Sequence, residues 1–257
     1  MAIIVPKLRS PIVLVHGLLG FDRFELCGWT LASYFSTIPE FLAAGGNRVL
    51  IAQLSPTGGV AERAAQLKQF LDREAPAEPV HLLAHSMGGL DARYMISRLG
   101  MAARVLTLTT IGTPHRGTAF ADWGLSRFGR LLKPVCDRLA LPFQAFDDLT
   151  TARCRAFNEE VPDVPGVRYF SVAGRHEGDW LSPEWQLSHG IVTRAEGAND
   201  GIVSLASATY GEDCDVWQGD HLSLVNRLNP VSLSRGHCQE RSAGYAALVR
   251  RLADEGF

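Results

Sequence analysis

Short, continuous apolar runs alternate along this chain with stretches whose apolar residues recur every three or four positions. Pro11 to Val15, Arg48 to Gln53, Val80 to Ala84 and Val105 to Ile111 are rich in Val, Ile and Leu. They are too short for helices and are bounded by turn formers, which predicts buried strands. Ala64, Leu67, Phe70 and Leu71 fall at helical spacing in a stretch that begins near Val60 and stops before Pro76. Further helices are expected from Met87 to about Leu99 and, earlier, from about Trp29 to Ala44, where Gly45 and Gly46 end the pattern. Strands that are apolar throughout, separated by helices, predict a mostly parallel sheet with helices on both faces. Val167 to Ala173 resumes the strand pattern, and Asp200 to Leu205 and Asp215 to Trp217 follow as weaker ones. A closing helix from about Gln239 to Ala253 carries Tyr245, Leu248 and Leu252 on one face.

The alternation breaks between Thr118 and Pro165. Phe120, Trp123, Phe128, Leu131, Leu132, Val135, Leu139, Leu141, Phe143 and Phe146 stand there among Arg127, Arg130, Lys133 and Arg138. Pro134 and Pro142 cut the stretch into short helices. Two readings are open: peripheral helices that complete the core, or an inserted cap whose apolar face closes a hydrophobic cleft.

A chain of 257 residues is long enough for one sizeable core, and a single domain over 1–257 with an insertion at about 118–165 is expected. A formal net charge of -2 gives no reason to expect a nucleic-acid partner. No apolar stretch is long enough to span a membrane. The start, Met1 to Pro6, is too short an apolar run for a signal peptide, so the chain as given is expected in the cytoplasm, or outside it if this is a mature form. The five cysteines, Cys27, Cys136, Cys154, Cys214 and Cys238, resemble no zinc pattern. Reduced thiols are one reading and a Cys214–Cys238 disulfide is another.

The sharpest chemical signal is Val80-His81-Leu82-Leu83-Ala84-His85-Ser86-Met87-Gly88-Gly89. An apolar strand stops at a serine with small residues two positions to either side, and a helix pattern follows. This is the sequence form of a strained strand–turn–helix elbow that presents a nucleophilic hydroxyl. Such a serine needs a base, and the base needs an orienting carboxylate, in the chain order Ser, Asp or Glu, His. His221 leads among the later histidines because it follows a strand end and precedes Leu222-Ser223-Leu224-Val225. His237 is the runner-up, and His115, in Gly112-Thr113-Pro114-His115-Arg116-Gly117, leaves few carboxylates between itself and Ser86. Asp200, in the turn Asn199-Asp200-Gly201, leads for the acid, with Asp179 and Asp215 as alternatives. Asp220 adjoins His221 too closely to orient its ring. Val15-His16-Gly17-Leu18-Leu19-Gly20 ends an early strand, so Leu18 N–H is expected to stabilise an oxyanion together with Met87 N–H. His16 is expected to anchor that loop by hydrogen bonding.

Taken together, these segments resemble the bacterial true lipases of the α/β-hydrolase superfamily, in particular the branch related to pseudomonad and burkholderial lipases. The resemblance rests on V-H-G-L-L-G-F-D (Val15 to Asp22), A-H-S-M-G-G-L-D-A-R-Y (Ala84 to Tyr94) and G-T-P-H-R-G (Gly112 to Gly117). It continues through F-N-E-E-V-P-D (Phe157 to Asp163), Y-F-S-V-A-G (Tyr169 to Gly174), N-D-G-I-V-S (Asn199 to Ser204) and G-D-H-L-S-L-V-N (Gly219 to Asn226). It implies an α/β-hydrolase fold, with Ser86 as nucleophile, Asp200 as acid, His221 as base, Leu18 and Met87 as oxyanion donors and the 118–165 segment as a lid. Leu19, His115, Trp123 and Phe128 are the expected substrate contacts. The implied activity is hydrolysis of carboxylic esters, most of all triacylglycerols at a lipid–water interface. Short or polymeric esters are the alternative substrates; acyl transfer and an inert binding protein on the same fold are more distant ones. No cofactor is implied. Relatives with structural calcium carry an aspartate two positions after the catalytic histidine; here that residue is Ser223, which lacks the charge a hard cation requires.

Overall fold

The computed structural model describes residues 3–18, 23–26, 29–127, 144–177, 183–227 and 241–257, with the backbone alone for 23–26, 29–33 and 183–184. Its centre is a six-stranded sheet. In chain order the strands are β1 (Ile12–Val15), β4 (Val49–Ala52), β5 (Val80–His85), β6 (Val105–Ile111), β7 (Arg168–Arg175) and β8 (Asp213–Gln218). They stand in the order β4-β1-β5-β6-β7-β8, and every pairing is parallel. Parallel neighbours require a crossover between each pair, and helices supply several of these. They are α1 (Ile38–Ala44), α2 (Val60–Glu74), α3 (Gly88–Arg98), α4 (119–127), α5 (Gln144–Asp148), α6 (Thr151–Glu160), α7 (Pro183–Glu196), α8 (Leu205–Ala208) and α9 (Ser242–Asp254).

Strand side chains alternate between two faces, and each face has its own core. Val13, Val15, Leu82, Ala84 and Leu108 pack with Ala64, Leu67 and Leu71 of α2 and Ala92, Met95 and Ile96 of α3. Ile12, Leu14, Leu83, Ile111 and Val172 point the other way, onto Ile38 and Leu42 of α1 and Tyr245, Leu248, Val249 and Leu252 of α9. Because both faces are covered, the strands read as unbroken apolar runs. The chain visits β4 on one side of β1 and then returns to β5 on the other. The crevice at such a reversal, beyond the carboxyl ends of the strands, is where a ligand fits in open α/β sheets.

Two expected elements differ. The helix expected from Trp29 to Ala44 is a strand followed by a shorter helix: β2 (Arg23–Leu26) pairs antiparallel with β3 (Trp29–Ser33), and α1 begins only at Ile38. Pro39 sits in the first turn of α1, where a missing N–H costs nothing, and that fixes the start of the helix. The weak strand expected from Asp200 to Leu205 is a turn closed by a bridge between Asn199 and Ser204, after which α8 starts with Ser204 as its cap. Helix α7 was not foreseen by the pattern. Within the inserted stretch, Ala121, Ala145, Leu149 and Cys154 pack against Val60, Met87 and Leu90. Phe128, Pro134 and Pro142 lie outside the described residues, as does Cys238; Cys154 and Cys214 are free thiols. No helix among the described residues is long and apolar enough to cross a membrane.

Candidate active site

Ser86 directly follows β5 and precedes α3, with a φ of +56°. A side chain at positive φ is strained, and it persists only where the surroundings impose it. Ser86 N donates to the Ile111 carbonyl at 2.9 Å, which continues the parallel ladder past the strand end. Thr113 Oγ1 donates to the Ser86 carbonyl at 2.7 Å and holds the other side of the turn. The small residue that follows is a packing requirement: a Cβ on Gly88 would stand 2.8 Å from the carbonyl oxygens of both Val15 and His16. The loop after β1 and the start of α3 are thereby brought into contact.

His221 lies in the loop after β8, and Asp200 in the turn after α7. His221 Nε2 is 2.9 Å from Ser86 Oγ, and His221 Nδ1 is 2.7 Å from Asp200 Oδ2. A carboxylate only accepts, so Nδ1 carries the proton and Nε2 is free to accept from the serine hydroxyl. Asp200 Oδ1 is satisfied by Ile202 N at 3.0 Å and Val203 N at 2.8 Å, which locks the carboxylate plane. His221 N also donates to the Asp200 carbonyl at 2.8 Å. Asp200 and His221 are both buried, so little water competes for these bonds.

The loop after β1 is held just as firmly. His16 Nδ1 donates to the Gly17 carbonyl at 2.9 Å, and its Nε2 accepts from Leu54 N at 3.2 Å. Arg63, fully buried on α2, donates from Nη2 to the His16 carbonyl at 2.6 Å and from Nε to Asp91 Oδ2 at 2.8 Å. Burial raises the Asp91 carboxyl to about 7, against the pull of Arg63. Gly17 N donates to Tyr34 Oη at 3.1 Å, and Tyr34 Oη donates to His85 Nδ1 at 2.7 Å. His85 Nε2 in turn donates to the His221 carbonyl at 2.9 Å. One hydrogen-bonded line therefore joins the glycine loop, the residue before Ser86 and the loop of His221. Burial, followed by repulsion from His221, keeps the His85 imidazole well below its usual range, so it stays neutral in this line. Among the described residues, neither Leu18 N–H nor Met87 N–H has an acceptor in the protein.

Other expected site residues stand elsewhere. His115 is buried in a separate cluster, stacked on Tyr210 at 4.1 Å, with Nε2 3.0 Å from Thr110 Oγ1 and Nδ1 3.3 Å from Arg93 Nη1. These contacts hold its ring within the packed core. Trp123 is half-buried on α4 and stacks with Phe120 at 6.0 Å. Leu19, Phe128, Asp179 and His237 lie outside the described residues. Asp215 pairs with Arg251 at 3.0 Å. A cavity of about 430 Å³ between the start of α2 and helices α5 and α6, lined by Val60, Tyr94, Asp148 and Phe157 among others, does not include Ser86 or His221. Tyr34, Arg63 and Asp91 escaped the sequence reading. Their one signal was a charge on the otherwise apolar face of α2, at Arg63 beside Ala64 and Leu67. No group of residues suited to a metal ion occurs among the described residues.

A parallel sheet of this order, with a positive-φ serine at the turn from β5 to α3 and a histidine and an aspartate on the loops beyond neighbouring strands, is the α/β-hydrolase architecture. A family profile for the PGAP1-like alpha/beta domain matches residues 60–228, and the chain belongs to that family. It is 31% identical to a triacylglycerol lipase of Vibrio cholerae, over 89% of this chain and 86% of that one. It is 30% identical to triacylglycerol lipase 2 of Saccharomyces cerevisiae, over 87% of this chain and 82% of that one. The crystal structure of the mature Bacillus licheniformis lipase BlEst2 superposes with a TM-score of 0.70 at 26% identity, covering 88% of this chain and 91% of that one. The chain is a carboxylic-ester hydrolase of the lipase and esterase type.

Proposed function

We propose that Ser86, His221 and Asp200 are the nucleophile, general base and orienting acid of a triacylglycerol lipase. The observation that carries this is the continuous hydrogen-bonded chain, 2.9 Å from Ser86 to His221 and 2.7 Å from His221 to Asp200. His221 takes the hydroxyl proton as Ser86 Oγ attacks the ester carbonyl. Asp200 stabilises the imidazolium that forms, and the Leu18 and Met87 amides receive the oxyanion. His221 then protonates the departing alcohol. In the second half it activates water, which attacks the acyl-Ser86 carbonyl and releases the fatty acid. A lost oxyanion donor costs about 3–4 kcal/mol in the transition state.

The segment at 118–165 acts as a lid over an apolar acyl pocket within a single domain, and its opening places large apolar side chains against a lipid surface. Supporting this, Phe146 is 46% exposed on α5 while Trp123, on α4, is half-buried. The motifs around Val15, Ser86 and His221 favour the pseudomonad and burkholderial branch. The deciding experiment is hydrolysis of p-nitrophenyl esters of graded chain length, run beside emulsified triglyceride. Turnover of both, rising from acetate to medium or long chains, is the expected result. A preference for acetate with no activity on the emulsion would make the protein an esterase of short, soluble esters.

A further inference from the structure

The loop that carries His221 is gripped at both ends by one side chain that took no part in the reading above. Arg241, immediately before α9, is 7% exposed. Its Nη2 donates to the Gln218 carbonyl and, at 3.4 Å, to Ser223 Oγ; its Nε donates to the Ser223 carbonyl at 3.2 Å. Its own backbone N donates to Asn226 Oδ1 at 3.1 Å. The side-chain bonds described for Arg241 thus all end on the segment from Gln218 to Ser223, with His221 between them. Within that segment, Ser223 N donates to Asp220 Oδ1 at 2.8 Å and Ser223 Oγ donates to the Asp220 carbonyl at 2.7 Å. Gly219 gives the guanidinium its room: a Cβ there would collide with Arg241 Nη2 and Ser223 Oγ.

We propose that Arg241 is a positioning residue for ester hydrolysis, bridging Gln218 and Ser223 so that the His221 ring keeps its place between Ser86 and Asp200. The proposal rests on the reading of His221 as the general base. The His221 peptide is already fixed, its N–H by Asp200 and its carbonyl by His85. Those two bonds lie at one residue; before it Gly219 N donates to the Arg175 carbonyl at 2.7 Å, and after it Tyr245 Oη donates to the Leu224 carbonyl at 3.1 Å, but neither joins the two sides of His221 to each other. Arg241 supplies that tie, because a planar fork reaches acceptors five residues apart in one rigid group. A lysine, with a single ammonium centre, does not span them in the same way. Small displacements matter here, since misplacing a reacting group by about 1 Å costs on the order of 10²-fold in rate.

The test compares the full-length protein with Arg241→Ala, Arg241→Lys, Ser223→Ala and His221→Ala. Each is assayed for kcat and KM on one p-nitrophenyl ester, for the rate of Ser86 phosphonylation by a fluorophosphonate, and for melting temperature. The proton NMR signal of His221 Nδ1–H, far downfield when bonded to Asp200, is followed in parallel. The expected outcome for Arg241→Ala is a kcat lower by about tenfold to hundredfold with KM nearly unchanged, phosphonylation slowed in step, and a weakened downfield signal. Millimolar guanidinium should restore part of that loss. Should Arg241→Ala fail to fold, Arg241→Lys and Ser223→Ala decide, with a drop of about threefold to tenfold at an unchanged melting temperature expected. Wild-type kcat and phosphonylation in folded Arg241 variants, with His221→Ala inactive, would overturn the positioning role alone. An active His221→Ala would instead overturn the base on which it rests.

Discussion

A serine held at a φ of +56° sits in a conformation that costs an L-residue about 1–2 kcal/mol, and only glycine relieves it. Ser86→Ala keeps the strain and removes the hydroxyl, so hydrolysis should fall by at least roughly 10⁴-fold while the fold survives. Ser86→Gly should be equally inactive yet melt higher than Ser86→Ala. The net difference is about 0.5–1 kcal/mol, because glycine also gains freedom in the unfolded chain. Equal melting temperatures would argue that the turn is unstrained in solution. Asp200→Asn and His221→Ala should each cut kcat by several orders of magnitude, whereas His237→Ala should leave it close to wild type. An inactive His237→Ala beside an active His221→Ala would exchange the two histidines. Ser86, Asp200 and His221 were legible because small-residue flanks, turn chemistry and chain order are local in sequence. Tyr34, Arg63 and Asp91 were not: their partners lie on other elements, and a buried charge shows its reason only once the helices are packed.

At the scale of elements, β5 does more than lead into Ser86. His81, on the same strand, is buried, with Nδ1 2.9 Å from Thr107 Oγ1 and its ring against Phe257. Burial lowers its pKa from 6.5 to about 4. The unfolded chain therefore binds more protons between those values, and stability is lost as pH falls from about 6.5 towards 4. His85 and His115, both lowered by burial, act in the same direction. His81→Gln keeps a partner for Thr107 and should flatten the decline of the urea midpoint between pH 6.5 and 4.5; an unchanged slope would exclude His81 as a source. β1, β4, β5, β6 and β7 were read with little error, because a strand covered on both faces is apolar along most of its length. The hairpin of β2 and β3 was missed because aromatic and aliphatic residues there fit a helical period as well as a strand. α7 was missed because its apolar positions, among them Trp185, Leu187 and Val192, are diluted by polar ones and no single face dominates.

For the whole molecule, three outcomes are expected. His221 donates to Asp200 and accepts from His85, and Ser223 bonds to Asp220 beside it; all of these groups are supplied by the chain. A chelator is therefore expected to leave both activity and melting temperature nearly unchanged, and a loss restored specifically by calcium would refute this. Each acyl methylene buried in an apolar pocket adds about 0.8 kcal/mol of binding, so rates should rise with chain length until the pocket is full. Trp123→Ser should weaken activity on emulsions more than on dissolved esters; equal effects on both would leave α4 as a core-completing helix. The parallel sheet with helices on both faces was readable from the rhythm of the chain. Whether the inserted helices move was not, because a core-covering helix and a lid present the same apolar residues.

The hydrogen bond between His221 and Ser86 closes a loop of 135 residues, and Asp200 reaches the same point from a third region of the chain. With the Leu18 amide included, the proposed centre draws on the chain from before β2 to beyond β8. During synthesis, the hydroxyl of Ser86 emerges and can fold into its turn well before its partners exist, so a nascent polypeptide carries an inert alcohol and no esterase. The same separation makes the site an indicator of integrity. On the proposed roles, a proteolytic cut that lets the β8 end drift, however distant from Ser86 in sequence, is expected to switch hydrolysis off before the rest of the sheet has come apart.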